Sequence, residues 1–413
     1  MSTTRFNLPT LQVLALLFMF DLTVPLRQTL YSQSGLGQAT IGVIFALPWI
    51  IILLADVPTG RLADEYSYKK MVTASGVLLA ASFALLALAQ NFETFVASAA
   101  LLGLGGACWR GVPNALSSLT IGSLHDPAAA ERYRRFVRWS LAIAAIGEAA
   151  ASVATWLILQ HYASDGLRLV AWLQVGICLL MALTSHLFLT DIRPEGVLHQ
   201  GFAKTVLSGW GLAAGRVREV FRSTPLVRAI VLYGAVIGCT TQTMVWLSQT
   251  YLQRSGTPTE DMPAIWLVYH LALFGFTFLI VPYEKLLGRW GALASLPALA
   301  AATYGALMWV QPAYGKWLVL AFYFIRAMQM GIITVYLMTL VPESMRATMA
   351  AVMSTVQFTL YSVMSLAINA SVQLLPSFQY GAGVAFGLSA VVYGTLGLVL
   401  VWRIRKHSTT SKA

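Results

Sequence analysis

The sequence predicts an all-α membrane protein with 12 transmembrane helices. The first observation is composition: of 413 residues, 58% are hydrophobic and 10% charged, with a mean hydropathy of +0.71. That is more apolar surface than a soluble domain hides. The second is segmentation, since a bilayer core takes roughly 20 apolar residues per helix. Twelve such runs lie at about 9–31, 38–59, 69–89, 92–121, 137–160, 167–189, 226–251, 263–283, 291–311, 316–341, 347–373 and 379–402. They are called spans 1 to 12 below. The third is charge placement. With the N-terminus in the cytoplasm, 21 of the 27 Lys and Arg fall on the cytoplasmic side and 3 on the other, while Arg27, Arg110 and Arg326 lie inside spans. This asymmetry puts both termini in the cytoplasm.

The same distribution accounts for the net charge of +11 as a topology signal, so no nucleic-acid partner is expected. The first span is too long for a secretory signal, carries Asp21 and Arg27, and lacks a small-residue cleavage site. Cys108, Cys178 and Cys239 all fall within spans and read as small apolar filler, with no disulfide and no metal spacing. No phosphate loop, dinucleotide fingerprint or His-Glu-x-x-His is present. The expectation is therefore a protein that is not an enzyme, has no cofactor, and draws on ion gradients rather than ATP.

Between spans 2 and 3 runs Gly60-Arg61-Leu62-Ala63-Asp64-Glu65-Tyr66-Ser67-Tyr68-Lys69-Lys70, read as a short loop. Gly, then Asp, then a basic cluster at this place resembles the loop signature of the major facilitator superfamily. The equivalent place in the second half keeps Gly288-Arg289 but has Lys285 where the Asp would stand. Arg326-Ala327-Met328-Gln329-Met330-Gly331 in span 10 resembles an Arg-x-x-Gln-Gly motif of the family. Val341-Pro342-Glu343-Ser344-Met345-Arg346-Ala347-Thr348 resembles the entry to span 11 in bacterial members. The Gly-x-x-x-Gly-Pro of proton/drug antiporters is missing from span 5, which reads Ala144-Ala145-Ile146-Gly147-Glu148-Ala149.

The resemblance implies two pseudo-symmetric six-helix bundles, residues 1–189 and 226–413 with a short cytoplasmic tail. Between them, 190–225 is the longest polar stretch, and Lys204 to Arg222 patterns as an amphipathic helix on the membrane surface.

Charges inside spans are costly and each needs a reason. Asp21, Asp56 and Glu148 are the acids, and Arg27, Arg110 and Arg326 the bases. In the family, spans 1, 4, 7 and 10 line the central cavity, which would gather Asp21, Arg110 and Arg326 there. Asp21 is expected to be the protonation switch with Arg110 as its partner, because burial disfavours an ionised carboxylate and a nearby Arg favours it. Glu148 is either a second proton site or a structural acid. Asp56 either titrates or hydrogen-bonds within the cytoplasmic gate. Arg27 either pairs with Asp21 across a kink at Pro25 or binds an anionic substrate.

By resemblance Asp64 is the gate residue, following Gly60 and approaching Arg346. Arg110, Gln242, Trp246, Arg326, Gln329, Gln357 and Tyr361 are expected at the substrate, since polar groups in lipid are wasteful unless they face a watery cavity. Lone His270 reads as a packing residue.

The expected function is proton-coupled export of a small amphipathic or drug-like molecule by alternating access, as a monomer in a bacterial inner membrane. Its partners are the substrate, protons and the lipid bilayer. The alternatives are carriage of an organic anion such as a siderophore or carboxylate metabolite, and a lipid flippase or membrane sensor on the same fold.

Overall fold

The computed structural model describes residues 7–24, 26–124, 126–162, 166–192, 215, 218–219, 221–222, 224–254, 256–310, 312–341, 346–374 and 378–410. Among these there is helix and no strand, as a chain in lipid requires when every backbone polar group must be satisfied internally. Nine helices of the described residues are long and apolar enough to cross a membrane, and Asn7–Met19 and Thr40–Asp56 are shorter apolar helices. Most of the amphipathic Lys204–Arg222 segment lies outside the described residues, as does Pro25.

The first half contains α1 (Asn7–Met19), α2 (Arg27–Gln33), α3 (Gln38–Glu65), α4 (Tyr68–Leu88), α5 (Phe92–Trp109), α6 (Val112–Ile121), α7 (Pro127–Tyr162) and α8 (Gly166–Phe188). The second contains α9 (Pro225–Arg254), α10 (Met262–Leu307), α11 (Pro312–Leu318), α12 (Leu320–Met328), a π turn at Gln329–Thr334, α13 (Val335–Leu340), α14 (Arg346–Leu374) and α15 (Phe378–Thr410).

Several element boundaries differ from the sequence expectation. Span 1 is not one helix: regular hydrogen bonding stops after Met19 and resumes at Arg27. Span 4 breaks at Arg110, followed by Gly111 with φ 74, a conformation closed to most residues with a Cβ. Pro113 then sits in the first turn of α6, where a missing N–H costs little. Spans 8 and 9 are two helices within the range given for α10, meeting at the non-helical Gly288 (φ 65, ψ 167), so the Gly288-Arg289 half-motif is the bend between them. The loop expected over Gly60–Lys70 is mostly helix. α3 continues to Glu65, tied by the Arg61 Nε to Glu65 Oε1 bond of 2.6 Å, and α4 begins at Tyr68 with the Ser67 hydroxyl accepting from the Lys70 N–H at 3.0 Å. Gly60 is therefore a helical residue of α3, with open space around it.

Within the first half α4 packs on α5 and α8, α3 on α5, and α1 on α7 and α8. In the second, α10 packs on α12 and α15, and α9 on α14 and α15. Two long seams join the halves, α3 against α14 and α7 against α10. At the end that carries the basic residues, α6 also meets α14, and α7 meets the π turn and α13. There Tyr133, Phe136, Leu337, Met338 and Val341 belong to one buried apolar cluster shared by both halves. At the other end, two separate clusters, around Tyr31–Ile44–Phe95 and Leu22–Leu159–Leu167, contain first-half residues only. The shared cluster thus reaches the basic end, while at the other end α7 also meets the short turn Thr259–Asp261 of the second half.

Small residues set the α3–α5 distance. A Cβ on Gly103 would lie 2.6 Å from the Pro48 carbonyl oxygen, a backbone atom that cannot swing aside. Gly103→Ala is therefore expected to cost about 1–3 kcal/mol through overpacking. Gly275→Ala, where a Cβ meets nothing within 4 Å, is expected to leave the thermal midpoint in detergent unchanged or slightly raised. Equal midpoints for the two variants would contradict this packing.

Candidate functional site

The six intramembrane charges fall into three groups. The first closes the break in span 1. Asp21 Oδ1 accepts from the Thr23 N–H at 2.9 Å and from the Thr23 hydroxyl at 2.6 Å, and Asp21 Oδ2 takes the Arg27 guanidinium. Arg27 Nε also donates to Thr23 Oγ1 at 2.9 Å, and its guanidinium lies over the Phe83 ring. The backbone groups freed by the break find partners on other helices. The Leu22 N–H donates to Gln174 Oε1 at 3.0 Å, and its carbonyl accepts from the Thr155 hydroxyl at 3.0 Å. The expected pairing of Asp21 with Arg110 is corrected here. Arg27 is six residues away on the same span, and the unwound backbone folds it back onto the acid.

The second group crosses the α7–α10 seam. Glu148 on α7 accepts from Arg326 of α12 at 2.9 Å through Oε1. Its Oε2 lies 3.7 Å from His270 Nε2 of α10 and has no hydrogen bond among the described residues. His270 Nδ1 lies 3.2 Å from the Ser152 hydroxyl, and its ring sits edge-on to Trp266 and Tyr323. The Glu148 side chain is 12% exposed and that of Arg326 22%. Arg326 lies three residues before the π turn, a helix irregularity common at functional sites. His270 reads as packing in the sequence because a lone His in a span carries no signal. What assigns it to this group is the crossing of α7 and α10.

The third group joins α3, the α5–α6 break and α14. Gly103, Gly106 and Arg110 recur on the face of α5 that meets α3, whose Pro48, Ile52 and Asp56 recur in the same way. Thr59 Oγ1, one turn beyond Asp56, donates to the Ala107 carbonyl at 3.1 Å. Asp56 is 1% exposed, and neither of its oxygens has a hydrogen-bond partner among the described residues. The Arg110 guanidinium lies 4.1 Å from the Phe358 ring centre and 5.6 Å from that of Trp49. Trp49 stacks on Phe358 at 4.4 Å and meets Tyr361 edge-on at 5.7 Å. Phe18 stacks on Trp109 at 4.6 Å beside them.

Of the remaining polar candidates, Gln329 and Gln357 meet beside α9. Gln329 is 5% exposed and donates to the Gly234 carbonyl at 3.2 Å, and the closest neighbours of Gly238 are the amides of Gln357 and Gln329. Tyr361 is 2% exposed. Gln242 is half-buried on α9. The side chains of Trp246, Asp64 and Arg346 lie outside the described residues. Trp49 and Phe358 were not singled out in the sequence, where large aromatics in apolar runs are too common to mark a site. Cys108, Cys178 and Cys239 are buried and free.

A family model of the Major Facilitator Superfamily matches residues 10–368. The multidrug resistance protein MdtG of Dickeya zeae (strain Ech586) is 24% identical over 253 residues, which is 60% of this chain and 56% of that protein. The chain thus aligns with a little over half of that relative's length. The crystal structure of the human organic anion transporter MFSD10 (TETRAN) superposes with a TM-score of 0.71 at 15% identity, over 98% of this chain and 100% of that one. A D-xylose-proton symporter does so with 0.69 at 14% identity, over 98% and 97%. At these identities the structural likeness speaks for the fold alone.

The span 1 group yields a stability test. Arg27→Met strands a carboxylate whose side chain is 20% exposed, and the expected loss is about 3 kcal/mol, the low end for a broken buried pair. Arg27→Met combined with Asp21→Asn is expected to recover most of it in thermal unfolding. If the double variant is no more stable than Arg27→Met alone, the two residues do not act as a pair.

Proposed function

The chain belongs to the Major Facilitator Superfamily, and from that premise we propose a proton-coupled secondary active transporter that exports a small amphipathic or drug-like molecule by alternating access. The observation that carries the reading is the Glu148–Arg326 ion pair, 2.9 Å long, with one partner on each half. When two halves rock against each other, a charge pair split between them is stretched or broken. Each freed charge then needs a replacement, because an unpaired ion in the membrane interior is costly. A proton is a ready replacement for Arg326 at Glu148. The free oxygen of Glu148 and the His270 ring beside it give that proton a route between the acid and Ser152. Proton entry is thereby linked to movement of the halves. One charge crossing 100 mV contributes about 2.3 kcal/mol to the cycle.

The direction and substrate follow two supports. The relative matched above is a multidrug resistance protein, and the stacked aromatic pairs Trp49–Phe358 and Phe18–Trp109 are of the kind that lines sites for amphipathic guests. The same reading takes the chain as twelve spans in units 1–189 and 226–413, with both termini in the cytoplasm of a bacterial inner membrane. Asp64 and Arg346 are assigned to the cytoplasmic gate, following the family motif.

Organic-anion carriage is the second reading, favoured by one observation. Arg326 stays 22% exposed while paired, so an incoming carboxylate has access to the guanidinium once Glu148 is neutralised.

Proteoliposomes loaded with a compound panel, with and without an imposed pH gradient, test the proposal. Glu148→Gln is expected to cut gradient-driven transport by about tenfold or more, the factor that 1.4 kcal/mol of lost coupling represents. Exchange of substrate across the membrane without a gradient is expected to persist. Full gradient response in Glu148→Gln would remove Glu148 from the coupling.

A further inference from the structure

The Glu148 group leaves a second buried acid unused. Asp56 is 1% exposed and lacks a hydrogen bond at either oxygen among the described residues. An ionised carboxylate so placed carries a large desolvation cost with no hydrogen bond to offset it. The cation within its field is Arg110, and the other ionisable group that senses it is the Cys108 thiol. The α14 contribution to the cluster is aromatic, Phe358 and Tyr361. Yet Arg110 turns its guanidinium to the rings of Phe358 and Trp49. Phe358 belongs to the second half, so this contact ties α5 to α14 across the molecule. The residue after Arg110 is Gly111 at φ 74, in a break of the helix, so the guanidinium hangs from a joint rather than from a rigid turn.

We infer that Asp56 is a proton-operated switch for Arg110. With its carboxyl protonated, the guanidinium stays on Phe358 and Trp49 and holds the first half to the second. With the carboxylate ionised, the guanidinium leaves Phe358 for Asp56 and the hold is lost. The bond made and broken is the O–H of Asp56, its proton passing to water, and Arg110 stays cationic throughout. The two states differ in what neutralises Asp56: a proton in one and Arg110 in the other. The inference rests on the alternating-access reading above and adds to it a second proton site, on the other seam, that acts on the contact between the halves.

Spin labels report the switch in the full chain in lipid nanodiscs. They are attached at Lys70→Cys and Arg403→Cys, two exposed positions at the basic end, one on each half, and the native cysteines are buried. As pH rises, the infrared C=O band of a protonated carboxylic acid is expected to disappear together with a shift from a short to a long label distance. Asp56→Asn is expected to lack that band change and keep the short distance at every pH. Phe358→Leu is expected to lower the short-distance population about fivefold, the worth of one lost cation–π contact, while Phe358→Trp retains it. A wild-type distance response in Asp56→Asn, or unchanged populations in Phe358→Leu, overturns the switch. If Asp56→Asn does not fold, the infrared band and the Phe358 variants decide. Transport assayed in parallel separates the two readings. A pH-dependent distance change without gradient-driven transport overturns the coupling assigned to Glu148 and leaves the switch. Gradient-driven transport together with a carboxylic band change that Asp56→Asn leaves intact overturns the switch alone.

Discussion

A charged side chain inside a bilayer must be neutralised by something within a few ångströms, and in this chain the choice of neutraliser sorts the charges by role. Asp21 and Arg27 satisfy each other within one span and bring Thr23 into the same network. Whatever the two halves do, that group travels as a unit. Glu148 and Arg326 sit on different halves, so their bond depends on how the halves are placed. Asp56 and Arg110 are held close on the first half but are not bonded, because Arg110 spends its charge on aromatic faces that include one from the second half. Only the last two groups reach from one half to the other, and the coupling proposed above rests on them.

Each group is placed beside an interruption of helix. Asp21 and Arg27 bracket the gap between α1 and α2, Arg110 stands at the joint of α5 and α6, and Arg326 leads into the π turn. Broken backbone in a membrane is tolerated where side chains or water take up the freed N–H and C=O groups. Gln174, Thr155 and Asp21 do this around Leu22 and Thr23. Interrupted helices therefore serve two ends here. They let charges leave the straight helical lattice to find partners, and they provide joints about which those partners can change.

Much of the architecture was readable from the chain because lipid imposes simple rules. Apolar run length fixed the approximate spans, and the loop letters around Gly60 and Arg326 pointed to the superfamily. The failures have physical causes. A strongly apolar run gives no sign of where it unwinds, so the breaks at Asp21 and Gly111 were invisible to hydropathy. Helix α3 outlasts its apolar stretch because the Arg61–Glu65 bond supports one more turn. The Asp21–Arg110 pairing was reasoned from which spans line a cavity. The alternative read for Arg27, pairing with Asp21 within span 1, is the one the structure shows, because a local unwinding brings it onto the acid.

The sequence alone determined that this protein lives in a membrane, how its basic loops are distributed and which six charges had to be explained, because burial cost and transfer energy depend on residue type and on little else. Tertiary structure alone decided which acid meets which base, made His270 a neighbour of Glu148, and set Phe358 under Arg110. Those facts depend on how helices far apart in the chain cross, on a scale of a few ångströms, and no periodicity along one strand of residues encodes the register between two.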